Sequence, residues 1–213
     1  MVKSFIVGLW SGVFNALRWV SPFQAIRKVF PGMRRSYRFV DCWVLGNLLA
    51  SVGCLVASSA PGVRWWEIVI LCYGGTRIFE IVVYQANVLL FDQYRARRAG
   101  QDYGVRGYRR LVLLLLHNYV EILFWFSAFY RNFSCVFDSR HILLDSVPGS
   151  LYFSVVTMAT LGYGDITPKG TAGLVLATTQ TLTGVFMAVV MLAKFISLMP
   201  KPKTLDELET TED

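Results

Sequence analysis

Four apolar runs, residues 39–60, 65–91, 111–130 and 172–199, constrain this chain more than any other feature of it. Of its 21 Lys+Arg and 14 Asp+Glu, the runs hold only Asp41, Glu67, Arg77, Glu80, Glu121 and Lys194. Each run is at least 20 residues long, and an α-helix rising about 1.5 Å per residue needs about 20 apolar residues to cross about 30 Å of hydrocarbon. The runs therefore read as four transmembrane helices of an all-α membrane protein. With 54% of the 213 residues hydrophobic, a soluble enzyme is excluded.

The net charge of +7 suggests nucleic acid only until the basic residues are located. Lys3, Arg18, Arg27, Lys28, Arg34, Arg35 and Arg38 precede the first span, and Arg95, Arg97, Arg98, Arg106, Arg109 and Arg110 fill the connection 92–110. The turn 61–64 has Arg64, and the connection 131–171 has Arg131, Arg140 and Lys169. Lys and Arg accumulate in short cytoplasmic loops, so both termini are expected in the cytoplasm. No folded soluble module is long enough to present a basic face to nucleic acid. Cys42, Cys54, Cys72 and Cys135 lack the spacing of a metal site and read as free thiols.

Residues 1–38 form a cytoplasmic segment in which Ile6, Leu9, Trp10, Val13, Leu17 and Val20 recur at helical spacing, as in a helix lying in the membrane interface. Ser21-Pro22 opens a second short helix that ends at Pro31-Gly32. Its Arg27 and Lys28 suit the headgroups of anionic lipids. Residues 39–91 form a two-helix hairpin turned at Ala60-Pro61-Gly62-Val63-Arg64, residues 92–110 a basic cytoplasmic linker, 111–199 a further unit, and 200–213 a short acidic cytoplasmic tail.

Within that further unit, Ser146-Val147-Pro148 precedes an apolar stretch of only about half a membrane thickness, interrupted at Gly162. Non-helical backbone at membrane depth is tolerated only where protein buries it or where it lines a water-filled cavity. Residues 146–168 thus read as a re-entrant loop, a short descending helix with an extended return. The C-terminal end of such a helix favours a cation near the middle of the membrane. The return is Thr157-Met158-Ala159-Thr160-Leu161-Gly162-Tyr163-Gly164-Asp165, followed by Pro168.

This segment resembles the potassium-channel signature TxxTxGYGD, within a pore unit spanning about 111–199. The resemblance implies an outer helix, a pore helix, a selectivity filter and an inner helix, with four such units around one axis. A dehydrated K⁺ needs several oxygens to replace its water, and four strands with inward-turned carbonyls supply rings of them. On this reading the ion-binding segment is Thr160, Leu161, Gly162, Tyr163 and Gly164. The carbonyls of Thr160, Leu161, Gly162 and Tyr163 and the Thr160 hydroxyl are the K⁺ ligands. The two glycines tolerate the alternating backbone this demands. Tyr163 braces the filter against a neighbouring pore helix, with Thr157 as support, and Asp165 sits at the outer mouth. Leu161 stands where the family most often has Val or Ile, and Val156 where some members have a glutamate that pairs with the filter aspartate.

Gly184 falls mid-way along the last span and serves either as a hinge or as a point of close helix packing. Val185, Ala188, Leu192 and Ile196 share one helical stripe, in which Leu192 and Ile196 are candidates for a dewetting gate. Arg77, Glu80 and Glu121 lie inside spans, where charge is costly and demands a partner. An Arg77–Glu121 bridge or an Arg77–Glu80 pair at i, i+3 is expected, structural rather than sensory. A single arginine supplies too little charge for steep voltage dependence. His117 lies one turn before Glu121.

The expectation is a potassium-selective channel and not an enzyme: a homotetramer in the plasma membrane, conducting K⁺ passively with no cofactor, and with one filter strand per subunit. A regulatory subunit that needs another pore-forming chain is the alternative.

Overall fold

The computed structural model describes residues 5–17, 37–57, 65–98, 108–139 and 142–198. The expected second N-terminal helix, the turn 60–64 and the tail 200–213 lie outside them. The elements are helices α1 (Phe5–Leu17), α2 (Tyr37–Ala57), α3 (Trp65–Arg98) and α4 (Tyr108–Asn132), a 3-10 turn (Ser134–Val136), strand β1 (Phe137–Ser139), helix α5 (Val147–Met158), strand β2 (Ile166–Pro168) and helix α6 (Gly170–Leu198). The protein is a mostly helical membrane protein.

Among the described residues, three stretches are long and apolar enough to cross a membrane: Arg38–Ala57, Arg110–Asn132 and Gly170–Ile196. Helix α3, whose 34 residues are long enough to span a bilayer, is not among them, and its apolar part carries Glu67, Arg77 and Glu80. All three charges are buried against protein, which is how a helix of this composition avoids presenting charge to lipid. Helix α3 also continues to Arg98, well past the apolar run that ends at 91.

Side chains at both ends fix the direction of α2. Near its start, Asp41 meets Arg110 at 2.6 Å, and near its end the Leu55 and Val56 carbonyls accept from Arg131 Nη1 at 2.5 and 3.2 Å. Helices α2 and α4 therefore run the same way. Helix α3 runs against both: Tyr73 donates to Asn47 Oδ1 at 2.5 Å, and one turn further on Arg77 reaches Trp43 and Glu121. The hairpin thus packs on its own pore unit. Gly74 permits the close approach, since a Cβ there would lie 2.4 Å from Trp125 Cε3. Small residues at such contacts matter because lipid offers helices no hydrophobic drive to associate, leaving packing to do so.

The core lies between α4 and α5, where Tyr130 meets Phe137 and Phe153 edge-on at centroid separations of 5.2 and 4.6 Å. Trp125, Phe126 and Ile122 fill the same layer. Strands β1 and β2 pair antiparallel, with Phe137 opposite Pro168 and Ser139 opposite Ile166, so the chain leaving the 160–165 segment is tied to the chain approaching α5.

Candidate functional site: the re-entrant loop and its supports

Helix α5 begins where Ser146 Oγ accepts from the Gly149 N–H at 3.1 Å, with Pro148 in the first turn, where no N–H is needed. It ends at Met158, and its last carbonyls are met from within the chain. Ala159 N bonds Val155 O at 2.9 Å, Leu161 N bonds Val156 O at 2.9 Å, and Thr160 N bonds Thr157 O at 3.1 Å.

Beyond this point the backbone takes an unusual form. Thr160, Gly162 and Gly164 have φ of 58°, 57° and 78°. In an ordinary strand successive carbonyls point to opposite sides. Positive φ at every second residue instead turns successive carbonyls toward one side, as a row of cation ligands requires. Glycine occupies two of these positions at no steric cost. Thr160 is the exception, because a β-branched residue at positive φ is strained, and such strain persists only where the surroundings impose it. Among the described residues it is the one non-glycine with positive φ. The signature accounts for the glycines, but nothing in the Thr160 side chain announces this torsion.

Asp165 lies at the end of the strand and accepts from the Tyr152 hydroxyl at 2.5 Å and from the Ile166 N–H at 3.0 Å. Donation to that carboxylate holds the Tyr152 phenol protonated and pushes it up to about 12. Sequence reasoning missed this partner. The available signal was that Tyr152 lies one turn before Val156, the position that the resemblance singles out as a partner of the aspartate. Leu161 and Tyr163 are 57% and 67% exposed, while Thr157 is half-buried.

Gly184 is buried, and a Cβ there would lie 2.4 Å from Met158 O, so α6 crosses the end of α5 at backbone contact. On another face of α6, Val185, Ala188, Leu192 and Ile196 are all exposed. Arg77 forms both bridges anticipated for it. Its Nε and Nη2 donate to Glu121 Oε1 and Oε2 at 2.8 and 3.2 Å, and its Nη1 donates to Glu80 Oε2 at 2.6 Å. Trp125 Nε1 adds a bond to Glu121 at 3.3 Å, and the guanidinium lies 5.8 Å from the Trp43 ring centroid. His117 stands apart from this group, its Nδ1 within 2.7 Å of Leu113 O of its own helix. None of the four cysteines, all among the described residues, forms a disulfide.

Residues 114–201 match the family model described as an ion channel. Over this segment the chain is similar to subunits of potassium channels. The pore unit is 39% identical over 80 residues to the voltage-gated potassium channel regulatory subunit KCNF1 of Homo sapiens, covering 38% of this chain and 16% of that protein. It is 33% identical over 92 residues to the voltage-gated potassium channel regulatory subunit KCNG1 of Homo sapiens, covering 43% and 16%. To the A-type voltage-gated potassium channel KCND3 of Rattus norvegicus it is 45% identical over 42 residues, covering 20% and 6%. The matched stretch thus spans about a sixth of the length of the two regulatory subunits. No solved structure matches the chain significantly.

Proposed function

We propose that the protein is a potassium-selective channel in which four copies each contribute one filter strand, Thr160 to Gly164, around a central axis. The observation that carries this reading is the alternation of positive φ at Thr160, Gly162 and Gly164 in a TxxTxGYGD segment directly after a half-span helix. Four such strands supply stacked rings of carbonyl oxygens that replace the hydration shell of K⁺, and conduction is passive. Thr160, Leu161, Gly162 and Tyr163 provide the ligands, and Asp165 concentrates cations at the outer mouth. The exposed filter residues and the exposed α6 stripe with Leu192 and Ile196 are the surfaces that four copies would turn toward one another and toward the pore. No resident cofactor takes part in this activity, and K⁺ is the cargo. The side on which α2 and α4 both begin carries most of the basic residues. This supports cytoplasmic termini in a plasma membrane, with residues 1–38 on anionic lipid.

The test is K⁺ flux through purified protein in liposomes, with Na⁺ substituted and Gly162→Ala as control. K⁺-selective flux that the substitution abolishes supports the reading, and equal Na⁺ flux overturns it. A second reading, a regulatory subunit that conducts only beside another pore-forming chain, is favoured by the names of the two regulatory relatives. It predicts no flux from the protein alone and altered currents when it is co-expressed with a conducting potassium-channel subunit.

A further inference from the structure

We infer that Gln180 is a positioning residue for ion selectivity, holding the pore helix from the inner helix in the orientation the filter requires. The inference rests on the channel reading above and extends it to a residue outside the signature. Gln180 lies on α6 and is fully buried, and its Nε2 donates to Ser154 O at 2.9 Å and to Ser154 Oγ at 2.8 Å. Ser154, on α5, is equally buried, and its own hydroxyl donates to Leu123 O on α4 at 2.8 Å. The bonds thus run in one direction, from the Gln180 N–H through the Ser154 O–H to the Leu123 carbonyl, joining inner, pore and outer helices. Turning the Gln180 amide over would set Oε1 against Ser154 O, acceptor against acceptor, so the acceptors themselves fix its orientation. A second hydroxyl contact, Ser127 Oγ to Ser150 Oγ at 3.2 Å, fastens the pore helix one turn nearer its start.

The link to selectivity is the short path from Ser154 to the filter. Thr160 and Leu161 are bonded to the Thr157 and Val156 carbonyls, so a slide or rotation of α5 carries the first filter residues with it. One turn beyond Gln180 on α6, Gly184 presses on Met158 O at the end of the same helix. The pair at i, i+4 lies on one face of α6 and sets both the tilt and the depth of α5. An apolar residue would fill the space at 180 and suit a span of 27 residues better. A glutamine there is costly in lipid unless its hydrogen bonds are used. Ion discrimination depends on where the carbonyls stand, so removing the donor should change which ion passes as well as how much protein assembles.

The experiment measures reversal potentials under opposing K⁺ and Na⁺ for purified channels in planar bilayers. It compares wild type, Gln180→Glu, Gln180→Leu, Ser154→Ala and the Gln180→Leu/Ser154→Ala pair. Gln180→Glu is nearly isosteric but has no N–H to donate. It and Gln180→Leu are expected to raise the Na⁺/K⁺ permeability ratio about tenfold, a shift of about 1.4 kcal/mol in relative permeation. Ser154→Ala keeps the backbone acceptor and is expected to shift the ratio less. The double variant should be no worse than Gln180→Leu, as expected for residues in one network. Conducting variants that keep the wild-type ratio overturn the inference, even if their yield falls. Should neither Gln180 variant assemble, an unchanged ratio in Ser154→Ala overturns it equally. A wild type that fails to discriminate K⁺ from Na⁺ overturns the channel reading itself, before any variant is compared.

Discussion

The Tyr152 hydroxyl donates to the Asp165 carboxylate at 2.5 Å, joining the middle of the pore helix to the outer end of the filter strand. It braces the outer end of the strand, whereas the backbone hydrogen bonds from the strand to the helix all lie at its inner end, at Thr160 and Leu161. Tyr152→Phe removes the donor and keeps the ring. Under sustained opening, its current should decay several-fold faster than wild type, measured in planar bilayers at fixed voltage. The pH dependence has a definite sign. The phenol is raised from 10.0 to about 12, so its contribution is complete below about 10 and is lost as the pH rises through about 12. Any pH dependence of the wild-type decay between pH 6 and 9 should therefore owe nothing to Tyr152. Any steep change within that window that Tyr152→Phe abolishes would contradict this assignment.

Gly164 and Gly170 provide a controlled comparison. Both have positive φ, 78° and 71°, and neither has an atom within 4 Å of a built Cβ. Alanine at either position meets only backbone strain, about 1–2 kcal/mol. Gly164→Ala and Gly170→Ala should thus lower thermal stability in detergent by similar amounts. Their flux should differ, because Gly164 belongs to the strand proposed to bind ions and Gly170 only begins α6. Gly164→Ala should lose K⁺ selectivity and Gly170→Ala should keep it.

What could be read from the sequence was what local pattern carries. The start of the pore helix followed from Ser146 and Pro148, whose capping and first-turn roles need no tertiary partner. The glycines of the filter announced positive φ because little else tolerates it. Partner choice across the fold was less legible. Arg131 finds the Leu55 carbonyl 76 residues away, and Gln180 finds Ser154 26 residues away, and periodicity encodes neither. Helix α3 runs on beyond its apolar run for a different reason. An apolar run measures the membrane, whereas the helix continues while its residues favour helix, here through Gln93, Ala96 and several arginines to Arg98. The torsion at Thr160 was hidden because the strain there is imposed by its surroundings and runs against its own preference.

The Arg77–Glu121–Glu80 group predicts an ordered series of stabilities. Arg77→Leu leaves two carboxylates buried without their cation and should cost about 3–5 kcal/mol, enough to abolish recovery of folded protein. Arg77→Lys keeps the charge but loses the two-pronged bond to Glu121, and should fall between wild type and Arg77→Leu. Replacing all three residues by Met or Gln removes the charges together and should recover most of the loss. By contrast, the exposed Asp41–Arg110 pair should be worth about 0–1 kcal/mol. Thermal unfolding of the purified variants in one detergent tests the order. An Arg77→Leu protein as stable as wild type would show that the bridges do not hold α3 to α4.

Gly184→Ala separates the two roles open to that glycine. A hinge needs glycine for its freedom, so alanine would stiffen α6 and slow opening while leaving the filter unchanged. The packing contact makes a different demand. The added methyl would lie 2.4 Å from Met158 O, and because the clashing atom is backbone, it cannot swing aside as a side chain would. The inner helix must then back away from the pore helix, at a cost of about 1–3 kcal/mol. Met158 O belongs to the last turn of α5, directly before the strained Thr160, so the displacement should reach the ion-binding strand. Gly184→Ala is therefore expected to lower thermal stability and raise Na⁺ permeability together, measured by unfolding in detergent and by reversal potential in bilayers. Slower opening with stability and selectivity unchanged would assign Gly184 to the hinge instead.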